Sequence, residues 1–192
     1  WQQTVQQKIR NQAAVLHEKC GVVVKNMYAW AANVRRGDAD NLEGRAAAYY
    51  WKNAFNNVKH FTRGQDGDYP NYLLNYGYAI LRAIIARALV ASGLMVQLGI
   101  FHHNKYNAYC LADDVMEPYR PYIDQIVIDM VANSKPTEEL TQEQKVALLS
   151  IPTTEVYIDG HRSPLAVAAS TTTASLYKCY LGESRKIIYP EI

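Results

Sequence analysis

The segment from Asn71 to Ala91 constrains the fold more than any other part of the sequence. Apolar and small residues recur in it every three or four positions, which is the spacing of one face of an α-helix. This stripe contains Leu73, Gly77, Ile80, Leu81, Ile84, Ala88 and Ala91. Arg82 and Arg87 interrupt the apolar run, and charged residues disfavour insertion into a bilayer. The segment therefore predicts a buried central helix of a soluble domain, with no membrane partner.

Helical spacing continues through most of the chain. Further helices are predicted at residues 2–19, 22–33, 42–55, 111–131, 141–149 and 164–180. Because Pro118 has no amide hydrogen, we expect a kink or a new helix start inside the fourth of these segments. Chain breakers predict a loop from Arg63 to Pro70, and Asp159-Gly160 predicts a hairpin turn. The expected fold class is mainly α, a single multi-helix domain over residues 1–192 with one small β-hairpin near residues 155–163.

Composition and cysteine content narrow the cellular setting. Of the 192 residues, 49% are apolar and 20% are charged, as in soluble globular proteins. Cys20, Cys110 and Cys179 are too few and too widely spaced for a disulfide framework or a cysteine zinc site. No signal-peptide pattern precedes the apolar segment, although the sequence starts abruptly at Trp1. We therefore expect a reducing cytoplasm.

Charge is distributed unevenly along the chain. The net charge is +2, but residues 1–110 carry thirteen Lys and Arg against six Asp and Glu. The remaining residues carry seven basic and twelve acidic side chains. A basic face for a polyanion beside an acidic metal-binding cluster would explain this distribution, and so would ordinary solvated helix faces. The charge pattern therefore suggests a nucleic acid without establishing one.

Histidine and carboxylate residues near the middle of the chain form the first candidate site. His102 and His103 precede an acidic cluster of Asp113, Asp114 and Glu117. Asp114 and Glu117 are three positions apart, so one helical turn would direct both carboxylates the same way. Imidazole and carboxylate ligands together suit Mn²⁺ and tolerate Mg²⁺. Acidic pairs at this spacing are also common on solvated surfaces, and adjacent histidines in loops often have structural roles.

Glu43 is the second candidate. It lies in the first turn of a helix that begins near Asp40 or Asn41, either of which can cap the helix. The helix macrodipole favours a carboxylate at this position. Small residues follow Glu43 and would allow another helix or a ligand to approach closely. Helix-start electrostatics and tight packing would explain the same residues without a functional role.

Four segments taken together resemble one protein family. They are Asn41–Trp51 (NLEGRAAAYYW), Leu73–Ala79 (LLNYGYA), Leu98–His102 (LGIFH) and Asp114–Pro121 (DVMEPYRP). In this order they resemble the C-terminal helical catalytic domain of CRISPR-associated protein one, the integrase that inserts new spacers into the CRISPR array. The NYGY segment and the predicted hairpin most resemble the branch of the family in type II systems, which is found beside single-protein, RNA-guided nucleases.

The resemblance implies a metal-dependent DNA endonuclease and integrase. Glu43, His102 and Glu117 fall on the family's catalytic metal ligands, for Mg²⁺ or Mn²⁺, and Asp114 falls on a supporting acidic position. The implied reaction is attack of a DNA 3′-hydroxyl on a target phosphodiester, and water in place of the hydroxyl would give cleavage. The family normally begins with a β-rich domain, which does not precede Trp1 in this sequence. We therefore expect the isolated domain to be impaired in integration.

The resemblance also implies partners. These are double-stranded and branched DNA, a second copy of the chain in a homodimer, the small adaptation protein CRISPR-associated protein two and an RNA-guided effector nuclease, all in the bacterial cytoplasm. Charge and proximity to the motifs identify candidate DNA contacts: Lys8, Arg10, Arg45, Lys52, Lys59 and Arg120. Two other functions stay open, a non-catalytic helical scaffold that binds DNA or protein and a helical metal hydrolase that acts on small phosphorylated substrates.

Overall fold

A computed structural model describes residues 1–64 and 67–192. The helices found among these residues are α1 (Gln2–Cys20), α2 (Lys25–Asn33), α3 (Leu42–Ala54), α4 (Asn71–Ala91), α5 (Cys110–Met116), α6 (Arg120–Asn133), α7 (Gln142–Leu149) and α8 (Leu165–Tyr180). Strands β1 (Glu155–Ile158) and β2 (His161–Pro164) pair antiparallel and lie between α7 and α8. This architecture confirms the prediction of a mainly α fold with one small hairpin.

The helices form two groups that share α6. Helix α1 packs against α2, α3 and α6, whereas α4 packs against α5, α6, α7 and α8. Leu73, Leu81 and Ile85 of α4 are fully buried, which confirms the prediction of a central helix. Ile84 is only half-buried and Ala91 is exposed, because the observed packing face of α4 is rotated from the predicted stripe.

Helix α4 is also the one helix in the described residues that could cross a membrane by length and apolar composition. Half of its most apolar window is buried inside the fold. Core helices of soluble proteins pass the same test, so this property is weak evidence for a membrane span.

Local hydrogen bonds explain where two of the helices begin and end. Asn41 caps α3, because its side-chain Oδ1 accepts from the Gly44 amide at 3.2 Å. The Asp38 carboxylate accepts from the Leu42 and Glu43 amides, both at 2.9 Å, and so satisfies two more free donors. Helix α1 ends at Gly21, whose φ of 63° lies in the left-handed region that glycine adopts without strain.

The helical segment is interrupted at Pro118, as predicted. Helix α5 ends at Met116, a 3-10 turn spans Glu117–Tyr119, and α6 begins at Arg120. The side-chain amide of Asn11, which is buried on α1, donates to the Pro118 carbonyl oxygen at 2.7 Å. This hydrogen bond fixes the turn that carries Glu117 against α1.

The remaining loops differ little from the sequence prediction. The hairpin turns at Asp159 and Gly160, which both have positive φ, as predicted. Helix α2 begins at Lys25 rather than near Val22, because the left-handed Gly21 ends α1 and residues 21–24 are not helical. The predicted loop from residue 63 to residue 70 contains no helix or strand where it is described, and its positions 65 and 66 lie outside the described residues.

Candidate active site

Two carboxylates that are distant in sequence converge on one ammonium group. Glu43 lies in the first turn of α3, and Glu117 lies in the 3-10 turn between α5 and α6. Helix α1 packs against both elements and places Lys8 between them. The Lys8 Nζ atom lies 2.7 Å from Glu43 Oε1 and 2.6 Å from Glu117 Oε2. The fold therefore directs both carboxylates at one cationic group.

The cluster is largely buried and its formal charges balance. Side-chain exposure is 13% for Lys8, 22% for Glu43 and 8% for Glu117. Arg120 is the second cation, with its Nε 3.0 Å from Glu117 Oε1. Burial raises the pKa of Glu117, but the charges of Arg120 and Lys8 lower it by a larger amount. The net pKa therefore lies below the ordinary value. Glu117 is therefore ionised at neutral pH.

Lys8 is affected in the complementary way. Burial lowers the pKa of Lys8, but the charges of Glu117 and Glu43 raise it by more, so the net pKa lies above the ordinary value of lysine. The cluster therefore combines the side chains of two glutamates, one lysine and one arginine. Pairing of this kind is what makes burial of four charges tolerable.

Both carboxylate oxygens of Glu117 are held in ion pairs, Oε2 with Lys8 and Oε1 with Arg120. Its Oε2 atom is fully buried and lies 2.6 Å from Lys8 Nζ. Lys8 also donates a hydrogen bond to Glu43 Oε1 at 2.7 Å. A metal ion could ligate this Glu117 oxygen only in place of the Lys8 ammonium.

His102 stands beside this cluster and is oriented by Asp114. Asp114 is fully buried, and its Oδ2 accepts from the Phe101 amide at 2.7 Å while its Oδ1 contacts His102 Nδ1. The His102 side chain is 50% exposed, and it is among the groups that lower the pKa of Glu117. A carboxylate on one imidazole nitrogen is the usual support of a histidine that ligates through the other.

Gly99 is required for this arrangement. A Cβ atom added there would overlap the carbonyl oxygen of His102 and approach Asp114 Oδ2 to 3.0 Å. The indole of Trp1 stacks on Phe101 with ring centroids 4.5 Å apart and meets the His102 ring edge-on at 5.6 Å. The loop that carries His102 is thus held both by Asp114 and by the start of α1. His103 is exposed, and no contact of its side chain is found in the described residues.

The donor set fits a small divalent cation, but the ligands are not assembled around a common point. Glu43 and Glu117 already share one cationic partner, and His102 supplies a nitrogen ligand beside them. Two carboxylates and one imidazole suit Mn²⁺ and Mg²⁺. Across residues 1–64 and 67–192, however, no three His, Cys, Asp or Glu side chains are grouped to hold a metal. Two of the three proposed ligands therefore meet at Lys8, and the third does not join them there.

A polar cleft adjoins the carboxylate cluster. Its volume is about 260 Å³, and it is lined by Arg63, Asn75, Tyr78, Ala79, Arg82, Asp113, Met116 and Arg120. Arg120 belongs to both sites, because its guanidinium contacts Glu117 and also lies over the Tyr78 ring at 4.8 Å. Asp113 pairs with Arg82 at 2.7 Å and partly offsets the positive charge. Three arginines in its lining make this cleft suitable for an anion such as phosphate.

The other basic residues predicted to contact DNA lie in different surroundings. Arg10, Lys52 and Lys59 are exposed, and the Arg45 guanidinium lies 6.0 Å from the centre of the Trp30 ring. Arg10 lines a larger cavity of about 450 Å³ between α1, the hairpin turn and the C-terminal segment. None of the candidate metal ligands lines this larger cavity, so we do not assign the chemistry to it.

Sequence reasoning missed three residues that organise the site. Arg63 and Arg82 line the arginine cleft, and Asn11 fixes the turn that carries Glu117. Arg82 could have been identified from the sequence, because it is a charged residue that interrupts the apolar stripe of the central helix. The signal for Arg63 was its position four residues after Lys59 in a glycine-rich loop, which by itself indicates no partner. Asn11 gave no signal, because its hydrogen-bond acceptor lies 107 positions away.

Comparison with known proteins decides the family. A family model described as CRISPR associated protein Cas1 matches residues 1–159, which is most of the chain. The chain belongs to the Cas1 family. This Cas1-family chain is 40% identical over 168 residues to the CRISPR-associated endonuclease Cas1 of Neisseria meningitidis serogroup C (strain 8013). The match covers 86% of the chain and 54% of that relative, so the chain spans about half the length of the curated relatives it matches.

Solved structures share the fold of this Cas1-family chain at low sequence identity. A casposase bound to an integration product superimposes with a TM-score of 0.79 at 19% identity, over 97% of this chain and 64% of the other. A Cas6-RT-Cas1–Cas2 complex gives a TM-score of 0.74 at 21% identity, over 95% of this chain and 24% of that one. At these identities the likeness concerns the fold alone.

Proposed function

We propose that this chain is the catalytic domain of a metal-dependent DNA endonuclease and integrase that inserts spacers during CRISPR adaptation. The observation that carries the proposal is the convergence of Glu43 and Glu117 on one buried cationic group, beside His102 and an arginine-lined cleft. The relative from Neisseria meningitidis is an endonuclease by name, and the casposase of the same fold was captured with an integration product. Both names support phosphodiester chemistry as the reaction class.

The proposed roles combine the family resemblance with the geometry of the carboxylate cluster. Glu43, His102 and Glu117 would hold Mg²⁺ or Mn²⁺, and Asp114 would orient His102 through its Nδ1 contact. When bound, such a cation neutralises charge on the scissile phosphate and stabilises the transition state of its displacement. Glu117 is suited to this role because its pKa lies below the ordinary value and it stays ionised at neutral pH.

The arginine cleft is the proposed binding site for the DNA backbone. Arg120 lies 3.0 Å from Glu117 and lines the cleft together with Arg63 and Arg82. A phosphate in the cleft would therefore lie next to the carboxylate cluster and be held by charge rather than by base contacts, which suits variable spacer sequences. In integration the incoming 3′-hydroxyl loses its proton and bonds to the target phosphorus, while the target strand's own 3′-oxygen leaves. Attack by water instead gives cleavage.

The proposed partners follow from the family. The Cas6-RT-Cas1–Cas2 complex contains a protein of this fold together with Cas2, which supports Cas2 as the small partner of this chain. Double-stranded and branched DNA are the proposed substrates, and a homodimer and an RNA-guided effector nuclease of a type II system are the further proposed partners. The bacterial cytoplasm is the proposed location.

Titration of Mn²⁺ into the protein by calorimetry tests the proposed site, with metal-dependent cleavage of branched duplex DNA as the second measurement. We expect saturable binding that is weakened at least about tenfold in Glu117→Gln and in His102→Ala, since each substitution removes a ligand. Glu139→Gln is the matched control, because Glu139 is exposed and remote from the cluster. DNA cleavage should require the metal and should be lost in the same two variants.

Three other results would contradict parts of the proposal. Binding that persists unchanged in both ligand variants would place the metal elsewhere and refute the residue assignments. If the unaltered protein binds DNA but no Mn²⁺, the non-catalytic scaffold becomes the better interpretation, because Lys8 and Arg120 would then balance the carboxylates without a metal. Metal-dependent turnover of small phosphodiesters without any preference for branched DNA would indicate the helical metal hydrolase instead.

A further inference from the structure

Lys8 occupies the space that a shared metal ion would need. Its Nζ atom lies 2.7 Å from Glu43 Oε1 and 2.6 Å from Glu117 Oε2, and only 13% of the side chain is exposed. A cation ligated by the same two oxygens would lie in nearly the same place, and the repulsion between two adjacent positive charges is strong in a buried site. Lys8 in this position and a bound metal ion therefore exclude each other.

We infer that Lys8 is a built-in counter-cation, which holds Glu43 and Glu117 together before metal binds and leaves when the metal enters. The inference rests on the proposed function, because it assumes that these two glutamates are metal ligands. In the metal-free protein, Lys8 therefore positions the two glutamates and does not contact DNA directly.

The surroundings of Lys8 suit an exchange of this kind. Without a cation, the nearby carboxylates of Glu43 and Glu117 would repel each other in a poorly solvated space. The backbone of Lys8 is held in place because its neighbours Val5 and Ile9 on α1 are fully buried. The lysine side chain has four rotatable bonds and ends in a compact ammonium, so it can move while the helix stays fixed.

The released ammonium gives the exchange a consequence for DNA binding. Arg120 joins the carboxylate cluster to the arginine cleft, so an ammonium displaced from Glu117 remains close to where the backbone phosphate would lie. Metal binding would then expose one additional positive charge to the substrate. Metal and DNA are therefore expected to bind cooperatively, and part of the coupling should depend on Lys8.

The first test compares Lys8→Met with the unaltered protein. Methionine keeps the length and apolar stem of lysine but removes the charge. We expect the metal-free variant to melt several degrees lower, since the paired carboxylates lose their cation. We also expect it to bind Mn²⁺ at least about tenfold more tightly, because no ammonium has to be displaced. Lys178→Met on the exposed face of α8 is the matched control and should change neither quantity.

A second test needs no substitution and applies even if Lys8→Met does not fold. The unaltered protein is acetylated briefly with a water-soluble amine reagent, with and without saturating Mn²⁺, and modification of each lysine is measured by peptide mass spectrometry. Labelling of Lys8 should be slow without metal and should increase severalfold with it. Labelling of Lys178 should be the same in both samples.

The outcomes separate this inference from the proposed function. Tighter Mn²⁺ binding by Lys8→Met, together with metal-induced labelling of Lys8, supports the exchange. If the unaltered protein binds Mn²⁺ through Glu117 but Lys8→Met binds it equally or more weakly, or Lys8 labelling does not increase, the exchange is wrong while the metal site stands. If the unaltered protein binds no Mn²⁺, the metal site and the exchange both fail.

Discussion

Replacement of Asp124 by asparagine tests the electrostatics of the buried core. Asp124 is 1% exposed and accepts hydrogen bonds from the Tyr50 hydroxyl at 2.9 Å and from the Tyr78 hydroxyl. Burial raises the pKa of Asp124 from the ordinary 3.8 to about 6, although the hydrogen bonds from Tyr78 and Tyr50 act in the opposite direction. Asparagine has nearly the same shape and keeps an acceptor oxygen, but it does not titrate.

The sign of the pH effect follows from these two pKa values. Between about pH 4 and pH 6 the unfolded chain releases the Asp124 proton while the folded protein keeps it. The contribution of Asp124 to stability is therefore fully present at low pH and is lost as the pH rises through 6. A shift of about two pKa units corresponds to about 3 kcal/mol in total, of which about 1–2 kcal/mol is lost between about pH 5 and pH 7.5.

Urea denaturation of the unaltered protein and Asp124→Asn across this pH range measures the effect. The free energy of unfolding of the variant minus that of the unaltered protein should increase with pH by the stated amount. Any constant cost of the substitution cancels in this slope. Asp129→Asn, on the same helix but half-exposed and paired with Lys19, supplies the curve of a carboxylate outside the core. A difference for Asp124→Asn that is flat or decreases with pH would refute the reasoning.

Two glycines give further predictions about stability. In Gly77→Ala the added Cβ would lie 2.5 Å from Ile123 Cγ2, so overpacking between α4 and α6 should outweigh the better helix propensity and cost about 1–2 kcal/mol. Thermal unfolding should then occur about 2–8 °C lower, and an unchanged melting temperature would show that Ile123 moves freely. In Gly21→Ala the new methyl group meets nothing within 4 Å, but the φ of 63° is strained for alanine and should cost about 1 kcal/mol in urea denaturation. No loss would indicate that α1 can end in another conformation.

Local patterns predicted most of the secondary structure. The apolar spacing predicted α4, the missing amide of Pro118 predicted the break before α6, and Asp159-Gly160 predicted the hairpin turn. Each of these depends on residues that are close together in the chain. The face of α4 that is buried was predicted less well, because α4 packs against several helices and their positions decide which side chains lose contact with water.

The candidate site could be predicted only in part. The order of four motifs selected Glu43, His102 and Glu117, and the fold brings the two glutamates together at Lys8. The sequence did not indicate that Lys8 lies between the glutamates, where its charge is not available to DNA. Nor did it decide whether Arg120 pairs with Glu117 or with Asp124. The structure pairs Arg120 with Glu117 and surrounds Asp124 with tyrosine hydroxyls.

The amino-acid sequence by itself determined the helices of this protein, the break at Pro118 and the residue types from which a metal site can be built. Those properties come from backbone conformation and from side-chain chemistry within a few positions. The tertiary structure alone decided that Lys8 and Arg120 neutralise the buried carboxylates and that three arginines share one cleft. Charges interact over a few ångströms of space rather than over positions in the chain, so their partners exist only after the helices have packed.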